Sequence, residues 1–132
     1  MIEIPRPVYD DIIKHCKTCY PQEACGFLAG EKSKVRVFIP IENSDHSTVS
    51  YMMDPRQQMR AFEKMNREKM ELVGIVHSHV ASPATPSQRD LSLAFYPDVS
   101  YVIVSLADMH KPDLQSWRIA EGRSSPDEVK TS

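Results

Sequence analysis

The segment Glu71–Leu91, ELVGIVHSHVASPATPSQRDL, opens as an apolar run and closes as a polar one. Leu72, Val73, Ile75 and Val76, with Gly74 among them, predict a short buried strand, far below the length needed to cross a bilayer. The run stops at His77-Ser78-His79. Residues two apart on a strand share a face, so both imidazoles can aim at one point while Ser78 points to the opposite face. Pro83 and Pro86 stiffen the loop that follows. Ser87 predicts the start of a short helix running to about Phe95, and Asp90 falls one turn into it. His77, His79 and Asp90 thus form a set of three potential metal ligands. An N,N,O set leaves the fourth tetrahedral position of zinc to water, as in catalytic rather than structural sites, which take four protein ligands. Water in that position has its pKa lowered to about 7, so hydroxide is available at neutral pH.

Each piece also has an ordinary structural reading. Ser87-x-x-Asp90 before an apolar run is a helix-capping box, and two histidines at a strand end can simply be polar residues at a sheet margin. The ordered conjunction of strand, HSH, stiffened loop and Ser-x-x-Asp is what points to a metal.

Working outward, Pro55 predicts the first turn of a helix capped by Asp54, with Met59, Phe62, Met65 and Lys69 along its inner face. Val99–Leu106, VSYVIVSL, predicts a central strand. Leu114–Ala120 alternates as a further strand, with Trp117 and Ile119 on one face. From Gly122 the composition turns polar, which predicts a domain over 1–122 and a frayed tail over 123–132. Toward the N-terminus, Ile2–Ile4 reads as a short strand. A helix then starts among Pro5 and Pro7 and runs to about Cys19, ended by Pro21. Ala24–Gly30 reads as a buried strand with Glu23 at its mouth. Val35, Val37, Ile39 and Ile41 mark another strand, and Asn43–Ser50 a loop. This interleaving predicts an α/β domain, a mixed sheet with helices against both faces.

Composition narrows the function classes. With 41% hydrophobic and 26% charged residues, the 132-residue chain reads as one globular domain. A net charge of -2 gives no argument for nucleic acid or an anionic membrane as partner. The N-terminus MIEIPRPVYDD has no signal-peptide pattern, which places the expected location in the cytoplasm. Three cysteines, Cys16, Cys19 and Cys25, are no disulfide framework. Cys16-x-x-Cys19 lacks the second pair of a zinc ribbon and sits late in a helix, so packing is its expected role. His15, His46 and His110 have no evident partners and are expected to be solvated.

His77-x-His79 followed by Pro86-Ser87 and Asp90 resembles the signature of the JAMM (MPN-plus) zinc metalloprotease family, in its compact prokaryotic form. Gln22–Gly30, QEACGFLAG, resembles the family's upstream segment, with Glu23 in the position of its glutamate. Tyr51–Pro55, YMMDP, resembles a recurring stretch before the second helix. The likeness spans about Ile2 to Gly122. Val80 stands where the family usually has proline, a change in loop stiffness rather than in ligand chemistry. The resemblance implies the MPN/JAMM fold, itself cytidine-deaminase-like, and Zn2+ as cofactor on His77, His79 and Asp90. It implies Glu23 as general base, taking a proton from water and returning it to the leaving nitrogen, and Ser87 as donor to the developing oxyanion. It further implies, as substrate, an amide or isopeptide bond after the C-terminal glycines of a ubiquitin-like or sulfur-carrier protein. The tail would be bound extended along a sheet edge. Two substrates stay open, a protein conjugated through lysine and a single amino acid such as cysteine carried on a sulfur carrier. A metal-free MPN scaffold serving assembly is the rival from another class. A deaminase is disfavoured, because its His-x-Glu and cysteine pair are missing here.

Overall fold

In the computed structural model, which describes residues 1–132, the apolar runs become the middle of one mixed sheet. In chain order the elements are β1 (Ile2–Ile4), α1 (Arg6–Cys19), β2 (Cys25–Glu31), β3 (Lys34–Ile41), α2 (Pro55–Arg67), β4 (Glu71–His79), α3 (Gln88–Ser92), β5 (Ser100–Ser105), β6 (Asp113–Ala120), β7 (Arg123–Asp127) and β8 (Val129–Thr131). The strands lie in the order β7-β6-β5-β4-β2-β3-β1-β8. β4 pairs parallel with β5, and β1 pairs parallel with β3 and β8; the other neighbours are antiparallel. Helices cover both faces, as expected from the sequence. Val8, Ile12 and Cys16 of α1 pack on Leu28, Val76, Val102 and Val104. On the opposite face Ala61 and Met65 of α2 pack with Phe27, Ala29, Ile75 and Tyr101. Complete burial of side chains such as Phe27, Leu28 and Val102 contributes about 1.5–3 kcal/mol each. No helix is long and apolar enough to cross a membrane.

The inner face of α2 differs from the sequence expectation. Asp54 does cap the helix, accepting from the Gln57 backbone N–H at 2.9 Å. Met59, however, is 65% exposed, and the buried residues are Ala61 and Met65. Three-residue steps from Met59 drift around the helix, whereas Ala61 and Met65 lie four apart on one line. Phe62 sits at the margin, its ring 5.1 Å from that of Phe27.

A β-bulge sets the side on which β4 presents its last residues. Leu28 pairs with Gly74 but Ala29 pairs with Leu72, so Val73 is an extra residue in β4. The alternation therefore slips by one. Leu72 and Ile75 both face α2, whereas Val73 and Val76 both face α1. Downstream of the slip, His77 and His79 follow Ile75 to the α2 face and Ser78 follows Val76 to the α1 face. Gly30, near the bulge, is required by close approach, since a Cβ there would lie 2.0 Å from the Lys34 carbonyl oxygen.

The C-terminal segment corrects the expectation of a frayed tail over 123–132. It forms β7, antiparallel to β6, and β8, parallel to β1. Asp127, whose side chain is 3% exposed, ties this segment to the sheet. Its carboxylate accepts from Ser100 Oγ at 2.7 Å and Ser116 Oγ at 2.8 Å, and it pairs with the Met1 amine and with Arg118 Nε at 3.5 Å. Partners this distant in sequence cannot be read from a polar composition.

Candidate metal centre

The end of β4 and the start of α3 bring three side chains to one point. His77 Nε2 lies 3.2 Å from His79 Nε2 and 3.1 Å from Asp90 Oδ1, and His79 Nε2 lies 3.0 Å from Asp90 Oδ2. Ligands of a tetrahedral ion held at about 2.0–2.1 Å stand roughly 3.3 Å from one another, so this triangle has the right edge length. Tautomer chemistry agrees. His79 Nδ1 lies 2.8 Å from the Pro83 carbonyl oxygen, a group that can only accept, so Nδ1 carries the hydrogen and, in the neutral ring, Nε2 is the nitrogen that offers a lone pair to a cation. The donor set therefore fits a divalent cation such as zinc.

Charge in the cluster is balanced by burial and hydrogen bonding. Burial pushes the His77 imidazolium pKa below its ordinary value despite the Asp90 carboxylate. Burial also pulls His79 down, but hydrogen bonds to Asp90 and Pro83 and the negative charges of Asp90 and Glu23 together raise it. Burial would raise the Asp90 carboxyl, yet the hydrogen bonds from His77 and His79 outweigh it and hold Asp90 well below the usual carboxylate range. Asp90 stays ionised and both rings stay turned toward it.

The loop between the histidines and α3 is anchored from the sheet. Ser105 Oγ donates to the Ser82 carbonyl at 2.7 Å and Trp117 Nε1 donates to the Ala84 carbonyl at 2.9 Å. These bonds bracket Pro83, whose carbonyl orients His79. Pro86 then delivers the chain to Ser87, which caps α3. Ser87 Oγ accepts from Asp90 N at 3.1 Å, and Ser87 N donates to Asp90 Oδ2 at 2.9 Å. The capping box thus also fixes the carboxylate, so the structural and the metal reading of Ser-x-x-Asp are the same contact.

Glu23 and Ser87 line the same cleft as His79 and Asp90, a cavity of about 330 Å³. The backbone on either side of Glu23 is tightly held. Glu23 N donates to the Ser47 carbonyl, the Glu23 carbonyl accepts from Asn43 Nδ2, and Ala24 exchanges hydrogen bonds with Ser78 through both N and O. Ser78, expected to turn away from the ligands, therefore splices Glu23 to β4. The Glu23 side chain accepts no hydrogen bond from the protein, and burial raises its carboxyl to about 7, with His79 and Arg89 opposing and Asp90 assisting. Tyr51 stacks on His77 at 4.6 Å between ring centroids, and burial pushes its phenol upward.

Other features lie outside this cluster. Cys16 and Cys25 are buried, and burial pushes each thiol up to about 12, consistent with packing. His46 and His110 are exposed as expected. His15 is not fully solvated: it is half-buried, with its ring edge-on to Phe38 at 5.4 Å and Nε2 3.6 Å from Cys19 Sγ. A larger concavity of about 540 Å³ runs along α1 between Tyr9 and Pro112 and gathers no convergent set of ligands. Sequence reasoning missed Asn43, Trp117 and Arg89; for Asn43 and Trp117 the only signal was a polar or indole group that had to find a partner once buried.

Comparison with known proteins agrees with this geometry. Residues 5–120 match the family described as prokaryotic homologs of the JAB domain. The chain is 38% identical over 113 residues to the CysO-cysteine peptidase of Mycobacterium tuberculosis, covering 84% of this chain and 77% of that one. It is 36% identical over 99 residues to a desampylase of Pyrococcus furiosus, covering 75% and 68%. Among solved structures, a Desulfitobacterium hafniense protein superimposes with a TM-score of 0.92 at 34% identity over 100% of this chain and 93% of the other. A JAB1/MPN domain protein from Archaeoglobus fulgidus shares the fold, with a TM-score of 0.65 at 21% identity over 98% of each. With the match running from the start of α1 through β6, the chain belongs to the prokaryotic JAB-domain family and has the MPN/JAMM fold.

Proposed function

We propose that this chain is a zinc metallopeptidase that hydrolyses the amide or isopeptide bond after the C-terminal glycines of a ubiquitin-like or sulfur-carrier protein. The observation that carries this is the convergence of His77, His79 and Asp90 beside an unpartnered, buried Glu23 in one cleft. The names of the relatives, a CysO-cysteine peptidase and a desampylase, support the same substrate class. A zinc ion on these three ligands supplies Lewis acidity and a water of lowered pKa. Glu23, with its carboxyl near 7, is matched to take a proton from water and pass it to the leaving nitrogen. Ser87 Oγ uses a lone pair to cap α3, which leaves its hydrogen free to face an oxyanion in the cleft. Tyr51 packs the far side of His77 and keeps that ring in place.

Binding of the tail departs from simple addition to a sheet edge. The edges of the sheet are β7 and β8, and β4 lies three strands from the nearer one. At a strand spacing of about 4.8 Å, an edge-bound peptide would pass roughly 14 Å from the histidines. The tail instead meets the loop Thr48–Tyr51 on one side of the cleft and Ala81–Ser82 on the other. Asn43, 6% exposed, braces that loop through the Ser50 carbonyl and the Met52 N–H.

The experiment is hydrolysis of a glycine-terminated carrier–peptide fusion by wild type, Glu23→Gln and His77→Ala, with zinc content measured in each. Wild type should hold zinc and cleave; Glu23→Gln should hold zinc and fail to cleave; His77→Ala should lose both. A wild-type protein that retains no zinc and cleaves nothing would support the assembly scaffold instead.

A further inference from the structure

The cleft contains one permanently cationic side chain, and nothing in the chemistry above uses it. Arg89 follows the cap residue Ser87 and precedes Asp90 in the first turn of α3, and it lines the cleft together with Glu23. Its side chain is 51% exposed, and its guanidinium faces Asp45 on the opposite lip, Nη2 to Oδ2 at 4.0 Å. That separation is too long for a hydrogen bond, so the pair is a weak one across the cleft mouth. Asp45 is itself held by its own lip: its N–H donates to Asn43 Oδ1 and its Oδ2 accepts from Ser50 Oγ. Arg89 is therefore kept over the cleft without its donors being used up. Its charge also reaches Glu23, whose carboxyl it stabilises as the anion.

Glu23 is the group that serves the leaving nitrogen, so a cation near Glu23 lies near whatever that nitrogen carries. When the leaving group is a single amino acid, one carbon separates the scissile nitrogen from a free carboxylate. When it is a lysine side chain, the nitrogen ends a chain of methylenes and no carboxylate accompanies it. The neighbouring Asp90 and Glu23 would repel a carboxylate brought in alone. An unsaturated guanidinium removes that obstacle and can hold the carboxylate in a paired, planar contact.

We propose that Arg89 is a carboxylate-reading residue that selects conjugates whose leaving group is one amino acid with a free α-carboxylate, with Asp45 holding the guanidinium until the substrate displaces it. The reaction is hydrolysis: water is added across the carbonyl–nitrogen bond, the carrier leaves with a glycine carboxylate, and the amino acid leaves as its amine. The proposal rests on the peptidase reading above.

Two substrates test it: a carrier ending in Gly-Gly–alanine with a free carboxylate, and the same carrier ending in Gly-Gly–alaninamide. Wild type should favour the free acid in kcat/KM by about two- to fivefold, the size expected of one half-exposed charge pair. Arg89→Gln should bring that ratio near one, and Arg89→Lys should restore part of it. Asp45→Asn should lower KM for the acid and leave kcat alone, because it removes a competitor and touches no reacting atom. Free alanine added to the zinc-loaded protein should shift the Arg89 Nε–Hε NMR signal, and alaninamide at the same concentration should shift it much less. Equal cleavage of both substrates by wild type, or an acid preference that survives Arg89→Gln, overturns the carboxylate site while the peptidase reading stands. Failure of zinc-loaded wild type to cleave either substrate overturns both.

Discussion

Replacing Glu23 with glutamine removes a charge that the folded chain holds at a cost to its own stability. The Glu23 side chain is buried, the residue being 6% exposed, and its carboxyl rises from 4.5 to about 7 on folding. A folded pKa above the unfolded one means that the native state binds the proton more tightly. The resulting stability is fully present below about 4.5 and is lost as pH rises through about 7. At 1.36 kcal/mol per unit the loss is roughly 3 kcal/mol. Glutamine has no proton to lose and escapes it. Urea unfolding of the chelated, metal-free protein at pH 4, 6 and 8 provides the assay. Wild type and Glu23→Gln should be nearly equal at pH 4, and the variant should be about 3 kcal/mol more stable at pH 8. In a chain of this size that corresponds to a rise in Tm of about 10 °C. The same variant should bind zinc and lose turnover. A stability difference independent of pH, or a variant less stable than wild type at pH 8, would refute the reasoning, because Glu23 would then be ionised at no cost.

Further perturbations separate the ligands from their supports. Asp90→Asn keeps an acceptor for the Ser87 N–H but removes the charge facing both histidines; zinc affinity measured against a competing chelator should fall by more than about 100-fold with little change in helix content. Trp117→Phe removes the indole bond to the Ala84 carbonyl; it should cost about 1 kcal/mol in urea unfolding and weaken zinc binding about tenfold, though it touches no ligand. Asp127→Ala leaves Ser100, Ser116 and the Met1 amine without their acceptor and should cost about 2–3 kcal/mol at pH 7. Burial opposes but hydrogen bonds and the N-terminal amine lower the Asp127 carboxyl, so its contribution is present above the ordinary carboxylate pKa and is lost as pH falls through the folded one. The gap between wild type and Asp127→Ala should therefore close in acid.

The parts legible in the sequence were those written in local spacing. His77 and His79 two apart, the prolines after them and Ser87-x-x-Asp90 each constrain the backbone within a few residues, so the cluster could be assembled before any tertiary contact was known. The two-faced sheet followed from the strength of the apolar runs. Legibility failed where the cause is distant. Val73 bulges where the register of β4 on β2 slips between Leu28 and Ala29, and no alternation in β4 announces it. The order of residues 123–131 depends on Asp127 meeting Ser100, Ser116 and the chain's own N-terminus. The Asn43–Ser50 loop reads as generic polar sequence, yet Asn43 is buried and carries hydrogen bonds that shape the cleft. Met59 lies off its expected inner face because a three-residue spacing tolerates two neighbouring helix faces, and the packing of Ala61 and Met65 against the sheet chooses between them.

X-ray absorption at the zinc edge, on protein loaded to saturation and washed, bears most directly on the three-ligand site. One ion per chain should be bound, with about four nitrogen or oxygen neighbours at roughly 2.0–2.1 Å, the multiple-scattering signature of two imidazoles, and no sulfur in the shell. Sulfur neighbours from Cys16, Cys19 or Cys25, or no stoichiometric zinc at all, would contradict a site built from His77, His79 and Asp90.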